Sequence, residues 1–384
     1  MRACRMPREG FSRTGTAYVP GPLNPTVSGW GCQGACGNDP ATANLDLVVV
    51  TSRFITRLRD IRDRFVAWLP ATIERRVRVF AWLSLAIQLL IVLTGGAVRL
   101  TDSGLGCPTW PQCVEGSFVA TPEMGIHGAI EFGNRLLFFV IQIVALVTFA
   151  FIWRLRKQRR DLFVLALIPC FSIVLQAVLG GITVWTNLNP YVVGLHFLVS
   201  VVLVVLAAVF VYRVYFGPRA ATLLVPTHVR VVAWFTAVLV GVTVILGIIT
   251  TGSGPHAGDH GAARNGLDSE LLQHFHSWPA YGALAGTVLV LGLALRARLA
   301  RLTRFATLLL LIELAQVAVG LTQARLGLPE VLVAIHMVLA CMLAAAMTAV
   351  ILSLRSEAGP AAATVTAPAY RESSATSADF DSRE

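Results

Sequence analysis

Long apolar runs separated by short polar breaks dominate the pattern along this chain. Eight of them, at residues 79–98, 131–153, 162–185, 191–212, 231–251, 271–295, 305–324 and 331–354, come close to the roughly 20 residues a helix needs to cross a bilayer core. They are too long and too uniformly apolar for the alternating strands of an outer-membrane barrel, so each predicts a spanning helix. The fold class expected is an all-α integral membrane protein with eight transmembrane helices.

The runs also repeat. Adding 140 to Gln176, Gly180 and His196 gives Gln316, Gly320 and His336, and adding it to Asn134 gives His274. The chain therefore reads as an internal duplication of two pseudo-symmetric four-helix bundles. The first occupies 79–212, a cytoplasmic linker spans 213–230, and the second occupies 231–354. Residues 1–50 mix Gly, Pro, Arg and cysteines without periodicity and read as a disordered N-terminal extension. Residues 51–78 form a basic cytoplasmic segment, and 355–384, rich in Ala, Ser and Thr, form a second disordered tail.

Composition narrows the class further. At 55% hydrophobic and 14% charged residues, with a mean hydropathy of +0.69, the chain is excluded from the ordinary soluble domains. Its net charge of +10 sits mainly in alternate connections: Arg53 to Arg78 before the first run, Arg154 to Arg160 in the second connection, and further arginines in the fourth and sixth. The positive-inside rule makes those sides cytoplasmic and puts both termini inside, in a multi-pass protein of the plasma membrane. Anionic headgroups account for this basic charge, and no nucleic acid is needed.

The candidate chemistry lies at the opposite ends of the helices. His196 and His336 fall within apolar runs, where polar side chains are costly and usually functional. With His127, His274 and His276 they place imidazoles near the outer side of both bundles. Two imidazoles from facing helices can hold a haem iron from both sides. His274 and His276 are two residues apart and point in nearly opposite directions, and the 140-residue register favours His274. His228, His256 and His260 read as members of solvated loops.

Glu131 shares a helix face with His127, with Asn134 and Arg135 a turn further on, and the register puts Leu271 opposite it in the second half. A carboxylate on one side only either exchanges a proton beside a reacting carbon or pairs with Arg135 or Arg99. Glu313 in the seventh run is given an interhelical packing role. Cys107 and Cys113 face the oxidising side and are expected as a disulfide, serving as a static staple or as an exchangeable dithiol. Cys170 and Cys341 should behave as small hydrophobes. Arg99, Arg135 and Arg325 are candidates for pairing with carboxylates of a bound macrocycle or for anchoring helices at the headgroups.

The segments GGAVRLTDSGLGCPTWPQC, IHGAIEFGNRLL, VLGGITVWTNLNPYVVGLH, TTGSGPHAGDH and HFHSW resemble the haem A synthase family in its actinobacterial version, over roughly residues 75–355. The resemblance implies oxidation of a ring methyl of haem O to a formyl group by successive hydroxylations. It implies a resident haem b between His274 and His336, and substrate haem O on His196 beside Glu131, beneath the loop closed by Cys107 and Cys113. It also implies haem O synthase and an electron donor as partners, and a homo-oligomer is compatible with it. The chain departs from the family at Asn134, where histidine is common. Either His127 substitutes as a ligand or His196 holds the iron from one side alone. The readings that compete with it are a b-type cytochrome exchanging electrons with quinone and a haem-delivery protein.

Overall fold

The structure, a computed structural model, describes residues 40–218 and 225–355, with side chains from residue 51 onward. The tail at 356–384 and residues 1–39 of the expected extension lie outside the described residues. Compact units divide at Arg62, Met1–Arg62 forming one and Asp63–Glu384 the other.

Most of helix α1 (Pro40–Trp68) belongs to the N-terminal unit. Residues 40–50 are therefore helical, where the sequence pattern gave an irregular extension. A proline at the first helical position forfeits only an amide that would be unpaired anyway, and no glycine or proline interrupts the 28 residues that follow. Pro70 ends the helix by disfavouring helical geometry at Leu69.

The second unit is eight long helices. They are α2 (Arg75–Leu100), α3 (Gly125–Ile152), α4 (Arg160–Trp185), α5 (Pro190–Phe216), α6 (Thr227–Ser253), α7 (Ser269–Arg296), α8 (Ala300–Arg325) and α9 (Glu330–Ser353). All eight are long and apolar enough to cross a membrane, and the described residues contain no strand beyond one isolated bridge between Val114 and Ser117. Their starts are written locally. The Asn189 side chain accepts from the Tyr191 amide and Pro190 opens α5, while the Asp268 carboxylate accepts from the amides of Glu270 and Leu271 at the head of α7.

Within this unit α2 and α4 each pack on both α3 and α5, and α6 and α8 each pack on both α7 and α9, giving two four-helix rings. The rings meet where α2, α5, α6 and α9 bury Val92, Val201, Val204, Val244, Cys341 and Ala344 against one another. Two further cores fill the arginine-bearing ends, one around Val77, Ile152 and Leu162, the other around Val229, Val290 and Leu302. Outward-facing Phe139, Ile143, Phe171, Phe235 and Leu311 are 60% to 70% exposed. Burying one such side chain is worth about 1.5–3 kcal/mol, so a surface of this make-up is at home against hydrocarbon. The chain is a multi-pass membrane protein.

Candidate functional site

The ends away from the arginines carry the polar chemistry, beginning with the loop between α2 and α3. Cys107 and Cys113 form a disulfide and both are fully buried. The loop is closed again by Cys113 N–H donating to Ser117 O at 2.9 Å and by the Thr109 hydroxyl donating to Gln112 O at 2.9 Å. Its Trp110 ring lies directly on Gly181 of α4, where any Cβ would overlap it, and the Trp185 indole donates to Trp110 O at 3.2 Å.

Beneath this loop Glu131 is 6% exposed. Its Oε2 accepts from the Cys107 amide at 2.7 Å, and its Oε1 accepts from Arg135 Nη2 at 2.6 Å and Nε at 3.1 Å. Arg135 also donates to the carbonyls of Thr109, Gln112 and Cys107 at 3.0, 3.2 and 3.1 Å. Its guanidinium is thereby committed to the loop. The i,i+4 pair is a buried clamp on the disulfide loop rather than a weak surface pair. Oε2 takes only one of these donors, which leaves it capacity for another O–H or N–H.

His127 is exposed at the start of α3, its Nδ1 3.0 Å from the Ser103 hydroxyl. Asn134 is half-buried, and its Oδ1 has no partner among the described residues. Across the bundle, Gln176 Nε2 donates to His196 O at 3.1 Å and to the Ser200 hydroxyl at 2.6 Å. The His196 ring faces Gly180, and its Nδ1 is buried with no partner among the described residues.

The second half repeats this contact: Gln316 Nε2 donates to His336 O at 3.1 Å, the ring faces Gly320, and His336 Nδ1 is likewise buried without a partner. Here a second imidazole is opposed. The His276 and His336 ring centres lie 6.2 Å apart. His276 Nδ1 is 2.9 Å from Thr243 O, and Gly247 leaves the space the ring occupies. A bond from Nδ1–H to a carbonyl fixes the tautomer that presents Nε2 as a ligand.

The structure thus brings His276, and not His274, to His336. His274 is exposed, and its carbonyl accepts from the Ser277 hydroxyl at 3.0 Å. Residues two apart on a helix point about 200° apart, so only one of the two can face inward. The 140-residue register holds across α8 and α9 but slips by two residues in α7. Three residues before His276 stands Gln273, where three before Asn134 stands Glu131.

Other placements depart from the sequence pattern. His256 is not a solvated loop residue: it is half-buried, with Nε2 2.9 Å from Leu328 O. Arg99 donates to His256 O at 2.7 Å and to Thr251 O at 3.0 Å, and Gly104 N–H donates to Gly258 O at 2.7 Å, so the first-half loop is tied to the second half. Those bonds engage Arg99, as the loop engages Arg135, while Arg325 is exposed at the end of α8. His228 lies exposed in the first turn of α6, and His260 is exposed, 3.9 Å from the Asp102 carboxylate. Glu313 accepts from the Thr287 hydroxyl at 3.0 Å, joining α8 to α7 as its packing role requires. Ser103, Thr243, Gly247 and Trp110 went unnoticed as site residues. Only the GxGC and HxH strings around them hinted at a folded loop and an inward imidazole.

Two helical rings, with imidazoles and the buried Glu131 carboxylate at their loop-bearing ends, define a multi-pass helical membrane protein. A family model described as a cytochrome oxidase assembly protein, COX15-CtaA, matches residues 78–348, and the chain belongs to that family. A stretch of 147 residues is 35% identical to a haem A synthase of Lysinibacillus sphaericus (strain C3-41), covering 36% of this chain and 46% of that protein. Haem A synthases of Listeria monocytogenes and Geobacillus thermodenitrificans are each 29% identical, over 162 and 159 residues, covering 53% and 49% of their lengths. The chain spans about half the length of the curated relatives it matches.

Proposed function

We propose that this protein is a haem A synthase of the plasma membrane, converting the ring methyl of haem O to a formyl group. The observation that carries the reading is the one-sided carboxylate. Glu131 is held beneath a disulfide-closed loop at the mouth of the bundle that contains His196, and Gln273 takes its place in the bundle that contains the imidazole pair. The matched contacts of Gln176 with His196 and of Gln316 with His336 support a duplicated origin. The arginine-rich ends support a cytoplasmic location for both termini.

The second-half residues fit a haem b. A histidine nitrogen sits about 2 Å from the metal it binds, so two imidazoles that would share one metal ion between them have ring centres about 6 Å apart. The observed spacing is 6.2 Å. Bound there, haem b supplies one-electron chemistry. Thr243 O fixes the tautomer of His276, Gln316 holds the helix carrying His336, and Gly247 and Gly320 leave room for both rings.

In the first half, His196 offers an imidazole to the substrate iron and Asn134 offers none, and since His127 lies exposed with its Nδ1 on the Ser103 hydroxyl, the reading takes His196 as holding the substrate from one side rather than His127 as a second ligand. Converting a methyl to a formyl group adds one oxygen and releases four electrons and four protons. With dioxygen as the oxygen source, each of two successive hydroxylations takes two electrons from a donor partner and two protons and releases one water, and loss of a further water from the resulting diol leaves the formyl group. Glu131 Oε2 keeps acceptor capacity beyond the Cys107 amide, which suits it to orient a water or take a proton beside the methyl. Arg135 and the disulfide fix that carboxylate against the loop, and Trp110 on Gly181 covers the helix next to the position facing His196.

The test is co-expression with a haem O synthase and chromatography of extracted haems. Haem A from the wild type and haem O alone from Glu131→Gln support the proposal. Unaltered haem A from the variant overturns the role of Glu131. The His276 and His336 pair by itself would serve a cytochrome b equally well, and wild-type cells that yield only haem O would favour that reading.

A further inference from the structure

From Phe54 to Trp68 the apolar stripe of α1 is exposed. At 3.6 residues per turn, Phe54, Leu58, Ile61, Phe65 and Trp68 fall within about 40° of one line. They are 49% to 64% exposed. Arg53, Arg57 and Arg64 border the stripe on one side and Arg62 on the other, while Arg59, Asp60 and Asp63 fall behind these margins, more than about 100° from the stripe's centre. Apolar centre, arginine margins and a charged back of mixed sign are the layout of a helix that lies in a membrane surface.

The end of this helix is fixed where the bundle leaves the bilayer. Leu69 is buried with Val77, Phe151, Leu155 and Val214 in the core of the arginine-bearing end. Arg154 donates to Ala67 O at 3.2 Å and to Leu69 O at 2.9 Å, and the Trp68 ring packs on Phe151 with centroids 5.8 Å apart. Arg75, Arg76 and Arg78 follow at once, at the head of α2.

We propose that α1 lies along the leaflet at the arginine-bearing end, its stripe among the acyl chains and its bordering arginines on the phosphates of anionic lipids. The charge layout selects this occupant. A second copy of α1 would bring arginine margins against arginine margins, with both acids turned away from the contact. An anionic lipid surface complements both margins at once. The proposal needs only the membrane placement of the eight helices, and it stands or falls independently of the haem chemistry.

The test is hydrogen–deuterium exchange of the full chain in nanodiscs of phosphatidylcholine alone or mixed with phosphatidylglycerol. Amides of residues 56–68 should exchange at least about tenfold more slowly with the anionic lipid, each bordering arginine contributing roughly fivefold. Ile61→Glu and the triple variant R53Q/R57Q/R64Q should lose that protection while the melting temperature of the eight-helix unit stays unchanged. Protection that is equal in the two lipids, that survives both variants, or that is absent from both discs overturns the proposal. Protection that tracks protein concentration rather than lipid charge identifies a second copy as the occupant and overturns it too.

Discussion

Gly247→Ala tests the second-half pocket by the smallest change available. A Cβ built at this position would sit 2.9 Å from His276 Cε1 and 3.1 Å from Nδ1. Comfortable carbon contacts begin at about 3.5 Å, so the ring must move by roughly half an ångström. A shift away from Thr243 stretches the 2.9 Å bond to its carbonyl to about 3.4 Å, past the usual N–H···O range, and weakens it. Thr243 O keeps its helical partner, but the His276 Nδ1–H left without an acceptor in a largely buried site costs about 1–3 kcal/mol, and disturbing the group that orients a metal ligand weakens metal binding by about 10–100-fold. Gly241 supplies the control on the same helix, because nothing lies within 4 Å of the Cβ it would gain. With haem supplied during expression, Gly247→Ala should lower both the haem content read by Soret absorbance and the melting temperature, and Gly241→Ala should change neither by much. Equal behaviour of the two variants would refute the argument that Gly247 makes room for a ligating His276.

Exchanging histidines separates the two candidates on α7: His276→Ala should abolish the reduced haem b spectrum, while His274→Ala, at an exposed position, should leave it intact. Arg135→Met strands Glu131 beneath the loop and should destabilise the protein by about 3 kcal/mol, seen as a lower melting temperature that Glu131→Gln/Arg135→Met together partly restores. Cys107→Ser/Cys113→Ser should cost about 2–4 kcal/mol, with wild-type protein treated with reductant converging on the variant in a thermal melt. Thr287→Val removes the hydroxyl bonded to Glu313 and should cost about 1–3 kcal/mol, whereas Thr287→Ser should be close to neutral in the same melt.

Much of this architecture was legible from hydropathy, because a bilayer leaves the chain little choice but unbroken apolar helices. The eight runs recur as α2 to α9, with ends displaced by a few residues; α3 begins six residues early because Gly125 to Ile130 continue its first turns. α1 was hidden, since arginines and aspartates interleave with Phe54, Leu58 and Ile61 and depress the average hydropathy even though the spacing is helical. The disulfide was readable from its compartment, and Glu313 from the cost of a carboxylate in mid-membrane. The sequence pattern pointed to His274 because one repeat period, valid for Gln176 and His196, was carried into α7, where the structure turns His276 rather than His274 toward His336. Nor does a sequence reveal that Arg135 spends its donors on three carbonyls of a loop more than twenty residues away, or that Arg99 crosses to Thr251 and His256.

The most direct measurement of the two-pocket claim is the haem inventory of the purified protein, made by acid extraction and chromatography from cells that also contain haem O synthase. The account predicts haem B together with haem O or haem A in one preparation, with His276→Ala removing haem B and leaving haem O unconverted, and His196→Ala removing haem O and haem A while haem B stays. A single kind of haem lost equally in both variants would contradict it.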